Sequence, residues 1–215
     1  MKTEALVLVA LPIVVALAAN VRADAIPYPT PGVLNPVVYT FTATNTGKVS
    51  AYFAGSTASY VNELGMLVNG LDTGIYGLNN HTSALGLKLD FGIVTAGDTL
   101  TFVLWNHTLG GIKAYSDPAL NGPYDSYYAP LPGVNHVYST PYTATSPIID
   151  SIPVGTFVSF EDLPASGWSD LNYNDEDFVF TNVSTVVPLP AAAWTGLTLL
   201  AGIAGFRLIR RRQVA

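Results

Sequence analysis

Apolar residues recur at every second position through much of this chain. Val37, Tyr39, Phe41 and Ala43 alternate; so do Val49, Ala51 and Phe53, and so do Leu64, Met66 and Val68. Leu85, Leu87, Leu89 and Phe91 form another stripe. Leu100, Phe102 and Leu104 form a further one, with Thr99, Thr101, Val103 and Trp105 on the opposite face. A period of two marks strands with one face in a core, whereas a helix repeats every 3.6 residues. Apolar runs at 134–138, 157–160 and 178–183 bring the expected strands to eight. Turn residues punctuate them at Asn45-Thr46-Gly47, Asn69-Gly70, Ala96-Gly97-Asp98, Gly110-Gly111 and Pro132-Gly133. Asn69-Gly70 is the strongest of these, because both residues tolerate positive φ in a tight hairpin. The pattern predicts an all-β domain over 24–186, an antiparallel β-sandwich of jelly-roll-like form. Residues 114–147, with six tyrosines and six prolines, are expected to be mostly ordered surface loop.

The two ends break the alternation. Residues 1–23 carry Lys2, an uncharged apolar run over 5–19, and Val21-Arg22-Ala23, the pattern of a secretory signal cleaved after Ala23 by signal peptidase. The apolar run is short for spanning about 30 Å of hydrocarbon. Residues 191–209 are apolar except for Arg207, and Arg210, Arg211 and Arg212 follow. Such a cluster resists translocation, so this predicts one transmembrane helix with its C-terminus in the cytoplasm and the body outside the inner membrane. Before the helix, Val187, Pro188, Leu189 and Pro190 lead into Ala191-Ala192-Ala193-Trp194, and the prolines hold an extended segment. Motif, apolar helix and arginines together, over 187–215, resemble the PEP-CTERM sorting signal, with Leu189 where Glu is usual. The resemblance implies processing by an exosortase in a Gram-negative bacterium that makes extracellular polysaccharide, with the inner membrane a transient station.

Net charge is −6, but the ends hide most of the asymmetry. Between residues 24 and 187 only Lys48, Lys88 and Lys113 stand against fourteen acids, near −11. A body this acidic repels phosphate backbones, which disfavours nucleic acid as a partner. The absence of cysteine excludes disulfides and thiolate metal sites.

Six of those acids fall between 161 and 177. Asp170, Asn172 and Asn174 alternate, and Asp175 and Asp177 follow as a strand begins. Calcium takes six to eight oxygens, and a turn rich in Asp and Asn concentrates them, so these five are the expected ligands, with Glu161 a distant sixth. An EF-hand is excluded: Asp175 stands where Gly is needed and Thr181 where Glu is needed. A solvated turn whose Asx side chains cap their own backbone is the competing structural explanation. Asp170, Asn172, Tyr173, Asn174, Asp175, Phe178 and Phe180 resemble the Asp-x-Asn-Tyr-Asn-Asp-x-Asp-Phe-Val-Phe ending of a β-domain family of bacterial exported proteins, and Phe160-Glu161-Asp162-Leu163-Pro164 resembles its lead-in. That resemblance implies an exported β-sandwich with calcium as the suspected ion.

Other signals are weaker. His81, His107 and His136 are widely spaced and read as surface or hairpin residues. No Gly-x-Ser-x-Gly elbow and no phosphate loop is present. Trp105, Trp168 and the tyrosines of 114–147 could stack on sugar rings or serve as ordinary core and loop cover. The expected protein is an exported cell-surface or matrix-associated structural or adhesive module of a biofilm-type setting, calcium-stabilised and not an enzyme. A carbohydrate-binding module for extracellular polysaccharide is the alternative, ahead of a secreted hydrolase.

Overall fold

A computed structural model describes residues 26–143 and 151–187. Eleven strands occur among them: β1 (Thr40–Ala43), β2 (Gly47–Gly55), β3 (Asn62–Val68), β4 (Leu71–Gly77), β5 (Lys88–Val94), β6 (Thr99–Asn106), β7 (Ile112–Tyr115), β8 (Val137–Tyr142), β9 (Gly155–Phe160), β10 (Glu176–Thr181) and β11 (Val183–Val186). A 3-10 turn, Pro118–Leu120, and one short helix, α1 (Gly122–Asp125), are the only helical pieces described. The strands form two sheets, one in the order β11-β1-β6-β3-β4 with β7 also on β6, the other β5-β2-β10-β9-β8. Every pairing is antiparallel.

The core lies between the sheets, and the period-two stripes supply it. Phe41, Leu64, Met66, Leu100, Phe102 and Leu104 face Val49, Ala51, Phe53, Val158, Phe178 and Phe180 in one buried cluster. Phe102 and Phe180 stack across it, with ring centroids 3.8 Å apart. The second sheet is covered on its outer face too. There Ala54, Tyr142, Ile152, Phe157 and Val179 form a separate cluster, with Ile26, Tyr52 and Tyr138 against it. Burial on both faces explains why apolar residues stand side by side at Phe157-Val158 and Phe178-Val179-Phe180 rather than alternating.

Three of the strands lie outside the eight the pattern predicted. β4 contains two glycines and a register shift, while β7 and β11 are four residues each. The expected strand at 134–138 begins at Val137 and runs to Tyr142. Leu87 sits outside β5 and is exposed, because the stripe of 85–91 holds only from Leu89 to Phe91 within the strand. Asn69 and Gly70 take φ of 50° and 80°, as the β3–β4 hairpin requires. At Asn182, with φ 62°, the chain steps from β10 in one sheet to β11 in the other, and its side chain is tied to the Asn45 backbone at 2.8 and 2.9 Å.

The signal segment with Ala23 and the sorting segment from Pro188 onward lie outside the described residues. No helix among those described is long and apolar enough to cross a membrane.

Candidate acidic loop and its buried end

Phe160 closes β9 and pairs with Glu176, which opens β10, so residues 161–175 are a long excursion between adjacent strands of one sheet. Structureless loops of about this length are uncommon in compact domains and usually functional. This one is fastened at many points. Gly32 N–H donates to the Leu171 carbonyl at 3.1 Å, Thr57 N–H to the Asn174 carbonyl at 3.2 Å, and Asn35 N–H to the Tyr173 hydroxyl at 2.9 Å. The Tyr124 hydroxyl and the Asn106 amide donate to the Asp162 carbonyl at 2.5 and 3.0 Å.

Four carboxylates gather where the loop leaves and rejoins the sheet. Glu161, Asp162 and Glu176 are 1%, 4% and 0% exposed, and Asp175 is half-buried beside them. The Asn62 amide bridges two of them, donating to Asp162 Oδ2 at 2.8 Å and to Glu176 Oε1 at 3.3 Å. Asp162 N–H donates to Asp175 Oδ2 at 2.9 Å. Both oxygens of Glu161, Oε2 of Glu176 and Oδ1 of Asn62 have no hydrogen-bond partner. Ser169 and the Tyr173 N–H stand near the Glu161 carboxylate, and Asp170 faces it, without closing a well-formed bond.

Among the described residues no lysine or arginine compensates this charge: Lys48 and Lys88 reach Asp90, and Lys113 reaches Asp72, while His136 partly opposes it at Glu161 and Asp162. Burial, reinforced by neighbouring carboxylates, therefore favours the neutral acids. Glu161 and Asp162 are raised by desolvation first and by Asp170 next among the charges. Asp175 is pushed up to about 9 by burial and then by Asp162 and Glu161, and Glu176 is raised well above the carboxylate range.

The five expected ligands fall into three groups. Asp170 accepts the Asn172 N–H at 3.3 Å and its amide at 2.6 Å, and Asn172 Oδ1 accepts the Asn174 N–H at 3.0 Å. With Leu171 and Tyr173 at φ 52° and 53°, these Asx turns curl the loop so that Asp170 comes toward Glu161 and Asp162. Asn174 is taken up by the Thr57 hydroxyl at 2.6 Å, while Asp175 belongs to the buried acids. Asp177 stands apart. It lies inside β10 on the opposite pleat from Glu176, under the loop, where the Ser159 hydroxyl donates to it and burial raises it to about 7. Among the described residues no three acidic or histidine groups already surround a single point at metal-ligand spacing.

A second buried pair fixes the loop from the other side. His136, expected at the surface, is 1% exposed; its Nε2 meets Asp125 Oδ1 at 2.8 Å and its Nδ1 meets the Glu161 carbonyl at 3.0 Å. Both neighbours are oxygens, and the ring bridges the loop to Asp125. Asp125 accepts the Ala165 and Val134 N–H groups as well, each at 2.8 Å. Its burial acts to raise it, but His136 and these backbone donors prevail and hold it below the usual carboxylate range.

Sequence reasoning gave Glu161 a distant role and overlooked Asp162, Glu176, Asn62 and the Asp125–His136 pair. The available signal was position: Glu161-Asp162 directly follows one apolar strand and Asp175-Glu176 directly precedes its neighbour. Of the sorting residues only Val187 is described, half-exposed just past β11.

No family model matches the chain, and neither a curated protein nor a solved structure does.

Proposed function

We propose that this chain is an exported, cell-surface or matrix-associated β-sandwich of structural or adhesive role, whose acidic loop is locked by calcium. The carrying observation is Glu161: a carboxylate 1% exposed, with both oxygens unpartnered, among Asp162, Asp170 and Asp175, while the described lysines are engaged at Asp90 and Asp72. Left alone, such a cluster is neutralised by protons. A hard cation offers the stronger partner, because it accepts several oxygens at once. Glu161, Asp170 and Asp175, with Asn172 in the same loop, are the ligands of this reading; Asp177, on the far pleat, is not. Side-chain rotation of Glu161 is needed to close the cage, which its free oxygens permit.

The same sealing supports a non-enzymatic role. A catalytic carboxylate must reach substrate, and Glu161, Asp162, Glu176 and Asp177 are all enclosed. The exported location rests on the sequence of the two ends, and with it the exosortase, the transient membrane stage and the cleavage after Ala23. The jelly-roll-like winding belongs to the proposal too. It is supported by crossings between sheets at β1–β2, β2–β3, β4–β5 and β5–β6.

The test is calorimetry of the full-length protein with calcium, beside melting in calcium and in EDTA. At a hundredfold excess over Kd a ligand stabilises by about 2.7 kcal/mol, or roughly 5–10 °C for a domain of this size. Glu161→Gln is expected to remove both the binding heat and the shift. A melting temperature indifferent to EDTA, with no calcium heat, ends the cation part of the proposal. Recovery of the untrimmed chain in the cytoplasm ends the export part.

A further inference from the structure

Folding has no evident use for the aromatic side chains that crown this end of the sandwich. Trp168 is 95% exposed, and Tyr128 and Tyr127 beside it are 51% and 46% exposed. Large aromatic rings are normally the first side chains to be buried, so several left open together point to something outside the domain. The two tyrosines are close neighbours, and the loop that carries Trp168 passes beside them. The two tyrosine rings meet edge to face at 4.9 Å, and the Gly167 backbone lies against Tyr128, so closely that a Cβ there would come within 3.2 Å of the ring.

The platform is held rigidly from below. Gly167 N–H closes a turn onto the Pro164 carbonyl at 2.7 Å, Ala165 N–H donates to Asp125 Oδ1, and the Ser166 hydroxyl donates to the Asp125 carbonyl at 2.7 Å. Asp125 is in turn clamped by His136. On the other side the Ser126 hydroxyl donates to the Leu131 carbonyl at 3.0 Å, closing the loop that carries both tyrosines. A backbone fixed in this way limits where the side chains it carries can stand, which lowers the entropy lost when a ligand orders them.

We propose that Trp168, Tyr128 and Tyr127 form a stacking site for a neutral polysaccharide chain. Pyranose rings present apolar C–H faces of about the area of an indole, and their hydroxyls suit acceptors such as the exposed Asp170 and the tyrosine hydroxyls. Charge selects among glycans. The three lysines of the body are engaged at Asp90 and Asp72, and the exposed Asp170 carboxylate follows Trp168 by two residues, so a uronate or sulfated polymer is disfavoured. The same charge argues against an anionic lipid surface. The inference deepens the adhesive reading by naming what is held, and it does not depend on calcium.

The experiment is retention of detergent-solubilised full-length protein on cellulose, on an insoluble β-1,3-glucan and on starch, with alginate coupled covalently to agarose as the anionic comparison, each in calcium and in EDTA. The expected result is retention on at least one neutral polymer and none on alginate. Trp168→Ala, whose melting temperature should equal the parent's because the ring is exposed, is expected to weaken retention at least tenfold, and Trp168→Phe to restore part of it. Failure on all three neutral polymers overturns the site. So does equal retention of Trp168→Ala, stronger retention on alginate, or self-association in sedimentation that depends on Trp168. Retention that persists in EDTA without any calcium heat separates the two readings: the cation proposal then falls and the glycan site stands.

Discussion

Asp125 shows how much one buried side chain can organise. Its two oxygens and its carbonyl hold His136, Val134, Ala165 and Ser166, so helix α1, the approach to β8 and the acidic loop meet on one residue. Removing one partner of a buried ion pair leaves the other uncompensated, at a cost of about 3–5 kcal/mol. Asp125→Ala should lose that much in urea unfolding near pH 7. The sign of the pH dependence is fixed by the depressed carboxyl: its contribution is complete above the unfolded value of about 4 and disappears as pH falls through the lower folded value. The gap between parent and variant should therefore narrow below about pH 4. A gap that stays constant from pH 6 to pH 3 contradicts the pairing. At this scale the sequence was partly legible. The Asp170, Asn172, Asn174 spacing does make successive Asx turns, as a short-range pattern can. The partners Asn62, Tyr124 and His136 were not legible, because they reach Asp162 and Glu161 across long stretches of chain.

Strands that expose one face could be read directly, and those covered on both could not be oriented. Tyr39, Phe41 and Ala43 alternate because Val38 and Thr40 face outward, whereas Phe157-Val158 and Phe178-Val179-Phe180 are consecutive because a second cluster covers the outer face of β9 and β10. Short strands such as β7 and β11 carry too few residues to show any period. Two glycines separate the ways an element can be broken. A methyl at Gly155, at the start of β9, would run into the Phe180 carbonyl of β10, a backbone atom that cannot move aside. Gly70 has open space but a φ of 80°, which L side chains resist. Gly155→Ala is expected to cost about 2–3 kcal/mol through overpacking and Gly70→Ala about 1–2 kcal/mol through backbone strain. Thermal unfolding of the two variants checks this. An unchanged melting temperature for Gly155→Ala would show that β9 and β10 are not packed this closely.

The whole molecule is closed by contacts between segments far apart in sequence, which is why sheet order was beyond local pattern. β1 pairs with β11 and β2 with β10, joining the first strands of the domain to its last. The outer face of the second sheet depends on residues from before the first strand. Ile26 lies on the cluster around Phe157 and Val179, and Tyr28, 6% exposed, packs edge-on to Tyr138 at 5.3 Å and Tyr173 at 4.7 Å. Tyr173 belongs to the acidic loop, so this strap couples the beginning of the domain to that loop. If the leader is cut after Ala23, the mature chain keeps only Asp24 and Ala25 ahead of Ile26, and the strap has almost no slack. Tyr28→Ala should then act as a core truncation despite its place near the terminus, costing about 3 kcal/mol, or roughly 6–12 °C. The neighbouring change Thr30→Ala, at an exposed position, should leave the melting temperature within about 1 °C. Equal melting of Tyr28→Ala and the parent would mean that the strap does not cover the sheet, and that Tyr173 is held by Asn35, Asn135 and Ser159 without it.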